Sequence, residues 1–213
     1  MYLLDLTLIL GTTHIFCKYF CRLNELATWY LIHCLGNFYI VLLCYEPILN
    51  IINDPLYELF NPTQYYTSML SIIFLHVYHM IFFKCNYDDI FHHLVFVGIG
   101  SFTIFFFENG YYSALSHFFI CGLPGGIDYF FLFLYKSGNI TKETRLKVSV
   151  FLNTWIRSPG LCVASTFSLI NFTYSQKTYW NIFETLLQIF MTMGNGQMYM
   201  RDIVYAAGQK NIY

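Results

Sequence analysis

Residues 71–101 read SIIFLHVYHMIFFKCNYDDIFHHLVFVGIGS. Two apolar segments, each long enough to reach deep into a bilayer, flank a polar connector from Lys84 to Asp89. The stretch holds His76, His79, His92 and His93, out of 7 histidines in the chain. Histidine is costly in hydrocarbon, and within a membrane it faces a bundle interior or a wet cavity. These residues therefore decide the fold class and mark the first place to look for function.

The rest of the chain reads as apolar helices around this centre. Of 213 residues, 57% are hydrophobic and only 11% charged. An ordinary globular domain carries about 25% charged residues. Apolar runs of the length that crosses a bilayer recur. The expectation is one all-α, polytopic membrane domain. The net charge of -1 gives no basic patch to neutralise phosphates, which excludes nucleic acid as a partner. The 7 cysteines are odd in number and mostly lie in apolar runs, so a disulfide framework is not expected.

Spans are predicted at 2–17, 27–45, 64–83, 90–107, 112–135, 148–170 and 180–200. The first lacks a basic start and carries Asp5, so it reads as a retained span. Alternate connectors differ sharply in charge. Lys18, Arg22, Lys84, Lys136, Lys142, Arg145, Lys147, Arg201 and Lys210 fall on one side, and only Lys177 on the other. Arg157 is left inside a span. The positive-inside rule then places the N-terminus in the lumen and the C-terminus in the cytosol. Tyr65, Tyr66, Tyr111 and Tyr112 sit at predicted span ends, where amphipathic rings favour the headgroup level. Pro55 and Pro62 bracket a short apolar piece suited to the interface.

Polar residues inside the spans follow helical spacing. Trp29, His33 and Asn37 are each one turn apart and share a face, as do His76 and His79. Asp89 lies three and four residues before His92 and His93, so one carboxylate is placed to orient either imidazole. Adjacent histidines diverge by about 100° on a helix, so one points at a shared centre while the other braces it. His117 precedes Gly122-Leu123-Pro124-Gly125-Gly126-Ile127-Asp128, where Pro124 should break or kink the helix. A charged Asp128 in hydrocarbon needs a partner, and Arg157 is the expected one. Asn195 lies in a run of small residues that favours close helix packing.

From Leu26 to Val204 the chain resembles the TLC domain, named for TRAM, Lag1 and CLN8 proteins. Glu25 to Phe38 is similar to the family's opening helix, with a Trp and then a His one turn on. Leu75-His76-Val77-Tyr78-His79 resembles its Gly-Tyr-Phe-x-x-Asp segment, with His79 where an Asp is common. Asp89-Ile90-Phe91-His92-His93 resembles the paired-His signature. The segment around Pro124 takes the place of the Glu-x-Ser-x-Pro stretch, and Asn195 to Tyr199 that of Asn-x-x-Trp/Phe. The resemblance implies a barrel of about seven transmembrane helices around a lipid-sized cavity, in the endoplasmic reticulum. It divides the chain into a span and connector at 1–25, the TLC-like domain at 26–204 and a cytosolic tail at 205–213.

The resemblance also implies lipid chemistry. The leading expectation is acyl transfer from acyl-CoA, as co-substrate, to a membrane lipid. His92 or His93 would act as base or acyl carrier, Asp89 would orient it, and His79 would stabilise charge. His33, His76, His117, Asp128, Arg157 and Asn195 are expected to line the cavity. No bound cofactor or metal is expected. Membrane lipids are the expected partners, and a homo-oligomer is left open. One alternative is a non-catalytic lipid sensor, carrier or cargo receptor. Another is a metal-dependent lipid hydrolase with His76, His79, His92 and His93 as ligands.

Overall fold

A computed structural model of the chain describes residues 2–55, 66–101, 112–174 and 179–210. Among these residues every regular element is helical. Helix α1 is Tyr2–Ile15, continued by a π-helical stretch, Phe16–Phe20. Helix α2 is Glu25–Asn53 and α3 is Thr67–Phe82. Helix α4 joins Tyr87–Phe91 to the π stretch His92–Ile99. Helix α5 runs through Tyr112–His117, the π stretch Phe118–Gly122 and Leu123–Lys136. Helix α6 runs through Lys142–Phe151, the π stretch Leu152–Arg157 and Ser158–Tyr174, and α7 is Tyr179–Gly208.

The starts of these helices are written locally. Asn24 accepts a hydrogen bond from the Ala27 amide at 2.8 Å and caps α2. Thr141 does the same for α6 through the Thr144 amide at 3.1 Å. Such caps satisfy amides that the first turn leaves without partners. Between α1 and α2 the chain reverses through Arg22, held at φ 51 in the left-handed region.

Three helical rods, Tyr2–Phe20, Glu25–Asn53 and Tyr112–Lys136, are long and apolar enough to cross a membrane. Thr67–Phe82 is apolar but shorter, because Phe83 turns to an extended backbone. The second helix outruns its predicted end at 45. Pro47 is accommodated inside it, and at 1.5 Å per residue it reaches about 43 Å, beyond the roughly 30 Å hydrocarbon layer. The last helix likewise passes the predicted end at 200 and takes in part of the expected tail. Leu42, Ile52, Trp155 and Phe190 are exposed by 67–72%, as side chains that face lipid would be.

Helices α2, α3, α4, α7, α6 and α5 follow one another around a ring, each touching the next, and α5 closes back on α2. Helix α1 stands outside, against α2 and α3. Close approach rather than water exclusion joins helices in lipid. A Cβ on Gly36 would lie 2.8 Å from a Leu75 methyl, which sets the distance between α2 and α3. A Cβ on Gly126 would lie 3.1 Å from the Phe38 ring, so α2 and α5 also meet tightly.

Pro124 leaves α5 continuous but disturbs it locally, with Gly122 off helical geometry at ψ -98. It has no amide hydrogen, so the turn before it widens into the π stretch Phe118–Gly122, and the α-helix resumes with proline at its start. Tyr65, Tyr111, Pro62 and the outer part of the fourth predicted span lie outside the described residues.

Candidate functional site

The ring encloses a cavity of about 340 Å³ to which all six of its helices contribute. That volume falls within the range of small-molecule sites, about 300–1,000 Å³. His33, His76, His92 and His117 line it, together with Asp128, Arg157 and Asn195. His79 and His93 do not; they stand behind His76 and His92. The paired histidines therefore divide, as adjacent residues of a helix do. His92 faces the cavity and His93 turns to α3.

Behind the lining, His79 Nδ1 and His93 Nε2 share a hydrogen bond of 2.8 Å. The Trp29 indole stacks on His79, with ring centroids 3.8 Å apart and planes 13° from parallel. His33 stacks on Tyr129 in the same manner, at 3.7 Å and 7°. Two aromatic lids thus fix two imidazoles, and the helical face Trp29, His33, Asn37 supplies one half of both. His76 Nδ1 bonds the Ile72 carbonyl at 2.7 Å, which leaves its Nε2 as the free lone pair. At the far end, His117 Nδ1 bonds the Ser68 hydroxyl at 2.8 Å.

The free groups are as informative as the bonded ones. His33 Nδ1, His92 Nδ1, His93 Nδ1, both amide atoms of Asn37, Asn195 Oδ1 and Arg157 Nε are buried without a partner. Buried polar atoms in native proteins are almost always bonded, and orphans mark a functional place or an unplaced group. Among the described residues most of these atoms, though not those of His93 or the likewise unpartnered Ser165, belong to side chains that line the one cavity.

Two expected pairings take other forms. Asp89 does not bond either imidazole. Its carboxylate accepts from the Asn86 amide at 2.9 Å, while Asn86 accepts from the Asp89 amide at 2.9 Å, a reciprocal cap on α4. The spacing to His92 and His93 was right, but the unsatisfied amides of the helix start lie nearer. Asp128 does not pair with Arg157 either. It accepts a hydrogen bond from Ser149 and lies 3.9 Å from Arg145. Arg157 donates to Asn153 Oδ1 at 2.5 Å, and its guanidinium lies over the Tyr199 ring at 5.8 Å.

These partners were within reach of the sequence. Arg145, Ser149, Asn153 and Arg157 recur at every fourth position, a polar stripe along α6. Asn153 extends it by donating to the Ser149 carbonyl at 2.8 Å. Three of the π stretches, in α4, α5 and α6, carry cavity residues: His92, Ile120 and Arg157 among them. A π turn widens the helix and rotates the side chains beyond it, and such turns concentrate at functional sites.

One group of side chains suits a metal ion. His76, His92 and His93 can each offer a ring nitrogen, with all three within 4.8 Å of one another. A second group, His79, Cys85 and His93, meets the same distance. Burial, and then the Asp89 carboxylate, push the Cys85 thiol upward, away from the thiolate a metal needs. The three-histidine set is the better donor set.

Comparison with protein-family models, with curated proteins and with solved structures gave no match to this chain.

Proposed function

We propose that the chain is a divergent TLC-type membrane protein of seven spans that moves an acyl group from acyl-CoA to a membrane lipid, with His92 as its central residue. The observation that carries this reading is the placement of His92: its ring lines the cavity and faces Asn195, which lines it too. A neutral imidazole there is suited to take the proton from an acceptor amine or hydroxyl. The acceptor then attacks the thioester carbonyl, the C–S bond breaks, and the CoA thiolate leaves with the electron pair. His93, held by His79, braces the ring beside it. The asymmetry of basic loops supports a lumenal N-terminus and a cytosolic C-terminus, which sets the basic start of α6 on the side where acyl-CoA is found. The endoplasmic reticulum is the proposed membrane.

The test offers labelled acyl-CoA, with a panel of lysophospholipids and sphingoid bases, to membranes holding wild-type protein or His92→Ala at equal level. A labelled product that His92→Ala loses supports the reading and names the acceptor. Equal product from both forms, or none from a folded wild type, removes it.

A metal-dependent lipid hydrolase is the second reading, and one observation favours it. The His76, His92 and His93 ring centroids are 4.9, 5.4 and 5.5 Å apart. Three imidazoles on one tetrahedral zinc stand about 5 Å apart, given Zn–N bonds near 2.0–2.1 Å. His76 also has its second nitrogen on a carbonyl, as metal-bound histidines usually do. Elemental analysis of chelator-free protein decides between the two. About one zinc per chain, lost in His76→Ala, supports the hydrolase, and a trace amount independent of His76 sinks it.

A further inference from the structure

Arg157 is 6% exposed, deep in α6, and lines the cavity. Both of its close partners, Asn153 and the Tyr199 ring, are neutral, and its Nε has none. The carboxylates nearby are committed elsewhere. Asp128 is taken by Ser149 and Arg145, and Asp202 pairs with Arg201 at 2.7 Å. A guanidinium held in a low-dielectric interior without an anion is strongly unfavourable. Among the described residues no carboxylate stands within ion-pair distance of Arg157, although Asp128 and Asp202 line the same cavity.

A second observation places where that charge would sit. Asn37 is 1% exposed, and neither its Nδ2 nor its Oδ1 has a partner. It converges with Arg157 on Gly125. A Cβ there would lie 2.8 Å from Asn37 Nδ2 and 3.8 Å from an Arg157 Nη. With no side chain at Gly125, the Asn37 amide packs against its backbone and an Arg157 Nη lies beside it, so the two donors meet at one place on the cavity wall. A guanidinium fork with an amide N–H beside it suits the oxygens of a carboxylate or phosphate. Elsewhere the lining mixes the apolar Ile72, Phe96, Val97, Ile120 and Met191 with polar side chains such as Ser101, His117 and Gln188.

We propose that the cavity takes an anionic amphiphile, with its carboxylate or phosphate on Arg157 and Asn37 and its hydrocarbon chain along Ile72, Phe96, Ile120 and Met191. This deepens the acyl-transfer reading by requiring that one bound species be an anion, and it rests on that reading only for the identity of the cavity. Its test is binding, so it stands or falls without turnover.

The full chain, purified in a non-ionic detergent, would be titrated with hexadecanoic acid, hexadecanoyl lysophosphatidic acid, hexadecanol and inorganic phosphate. Wild type, Arg157→Gln and Arg157→Lys would be compared by radioligand binding and thermal shift. An anionic amphiphile should bind about tenfold or more tightly than hexadecanol. Arg157→Gln should abolish that preference without weakening hexadecanol, and Arg157→Lys should restore part of it. Binding of the fatty acid alone assigns a carboxylate site, and of the lysophosphatidic acid alone a phosphate site. Saturable binding of inorganic phosphate by itself, with no gain from the chain, overturns the amphiphile. So does equal affinity for acid and alcohol, or a preference that survives Arg157→Gln. Should Arg157→Gln fail to melt cooperatively, Asn37→Ala takes its place with the same required loss. Intact anion preference with no acyl transfer would count against the proposed reaction and leave this site standing.

Discussion

His79 Nδ1 and His93 Nε2 lie 2.8 Å apart, so each ring satisfies the other with a single shared proton. That bond joins α3 to α4 behind the cavity, beneath the stacked Trp29 indole. His79→Ala leaves His93 Nε2 buried and unbonded, and should cost about 1–3 kcal/mol. His79→Phe keeps a ring against Trp29 and should cost less than His79→Ala. Thermal unfolding in detergent checks the order. The reverse order would mean that neither the bond nor the stack holds these helices.

Asp89 is predicted to matter for the helix rather than for the chemistry. Removing a capping side chain costs roughly 0.5–2 kcal/mol. Asp89→Ala should therefore loosen the start of α4 and lower stability by about 1 kcal/mol. Acyl transfer should fall less than tenfold once corrected for folded protein. The measurement is activity per folded molecule beside the melting curve. A loss of a hundredfold or more at near-normal stability would return Asp89 to the role of orienting an imidazole.

Much of this arrangement was legible because helical spacing is rigid. Trp29, His33 and Asn37 share a face in the sequence and in the structure, and adjacency on a helix separates His92 from His93. The three rods long and apolar enough to cross a membrane were also readable from composition. What spacing could not supply was the nearest competitor for each polar group. Asp89 is three residues from His92, but the open amide of Asn86 is nearer. Asp128 has Arg157 as an evident counter-charge, yet the π stretch Leu152–Arg157 turns Arg157 toward Asn153 and Tyr199. A π turn leaves no clear mark in the sequence outside a proline such as Pro124.

Gly36 is predicted to be a spacing residue. A Cβ there would come within 2.8 and 2.9 Å of the two Leu75 methyl carbons. These are the ends of a flexible side chain, but Leu75 is fully buried and has little room to yield. Gly36→Ala should destabilise by about 1–3 kcal/mol through overpacking. Gly36→Ala combined with Leu75→Ala should recover part of that loss, because the added methyl enters the space vacated. No recovery would place the strain elsewhere on α2. The readout is the melting temperature of the four forms in one detergent.

The last prediction concerns which residue answers the charge of Asp128. Ser149 donates to its carboxylate, and Arg145 stands 3.9 Å away, too far for a strong hydrogen bond but close enough to balance the charge. Ser149→Ala should leave the carboxylate under-bonded and cost about 1–3 kcal/mol. Residues in contact couple by roughly 0.5–3 kcal/mol, whereas residues with no shared partner add within about 0.5. A double-mutant cycle between Asp128→Ala and Ser149→Ala should therefore show a coupling of about 1 kcal/mol or more. The cycle between Asp128→Ala and Arg157→Gln should show a smaller coupling, since the two side chains do not touch and are joined only through Ser149 and Asn153. Large coupling in the second cycle and none in the first would restore the Asp128–Arg157 pair. It would also take away the unbalanced charge on which the anion site depends, so this cycle is a second, independent check on that proposal.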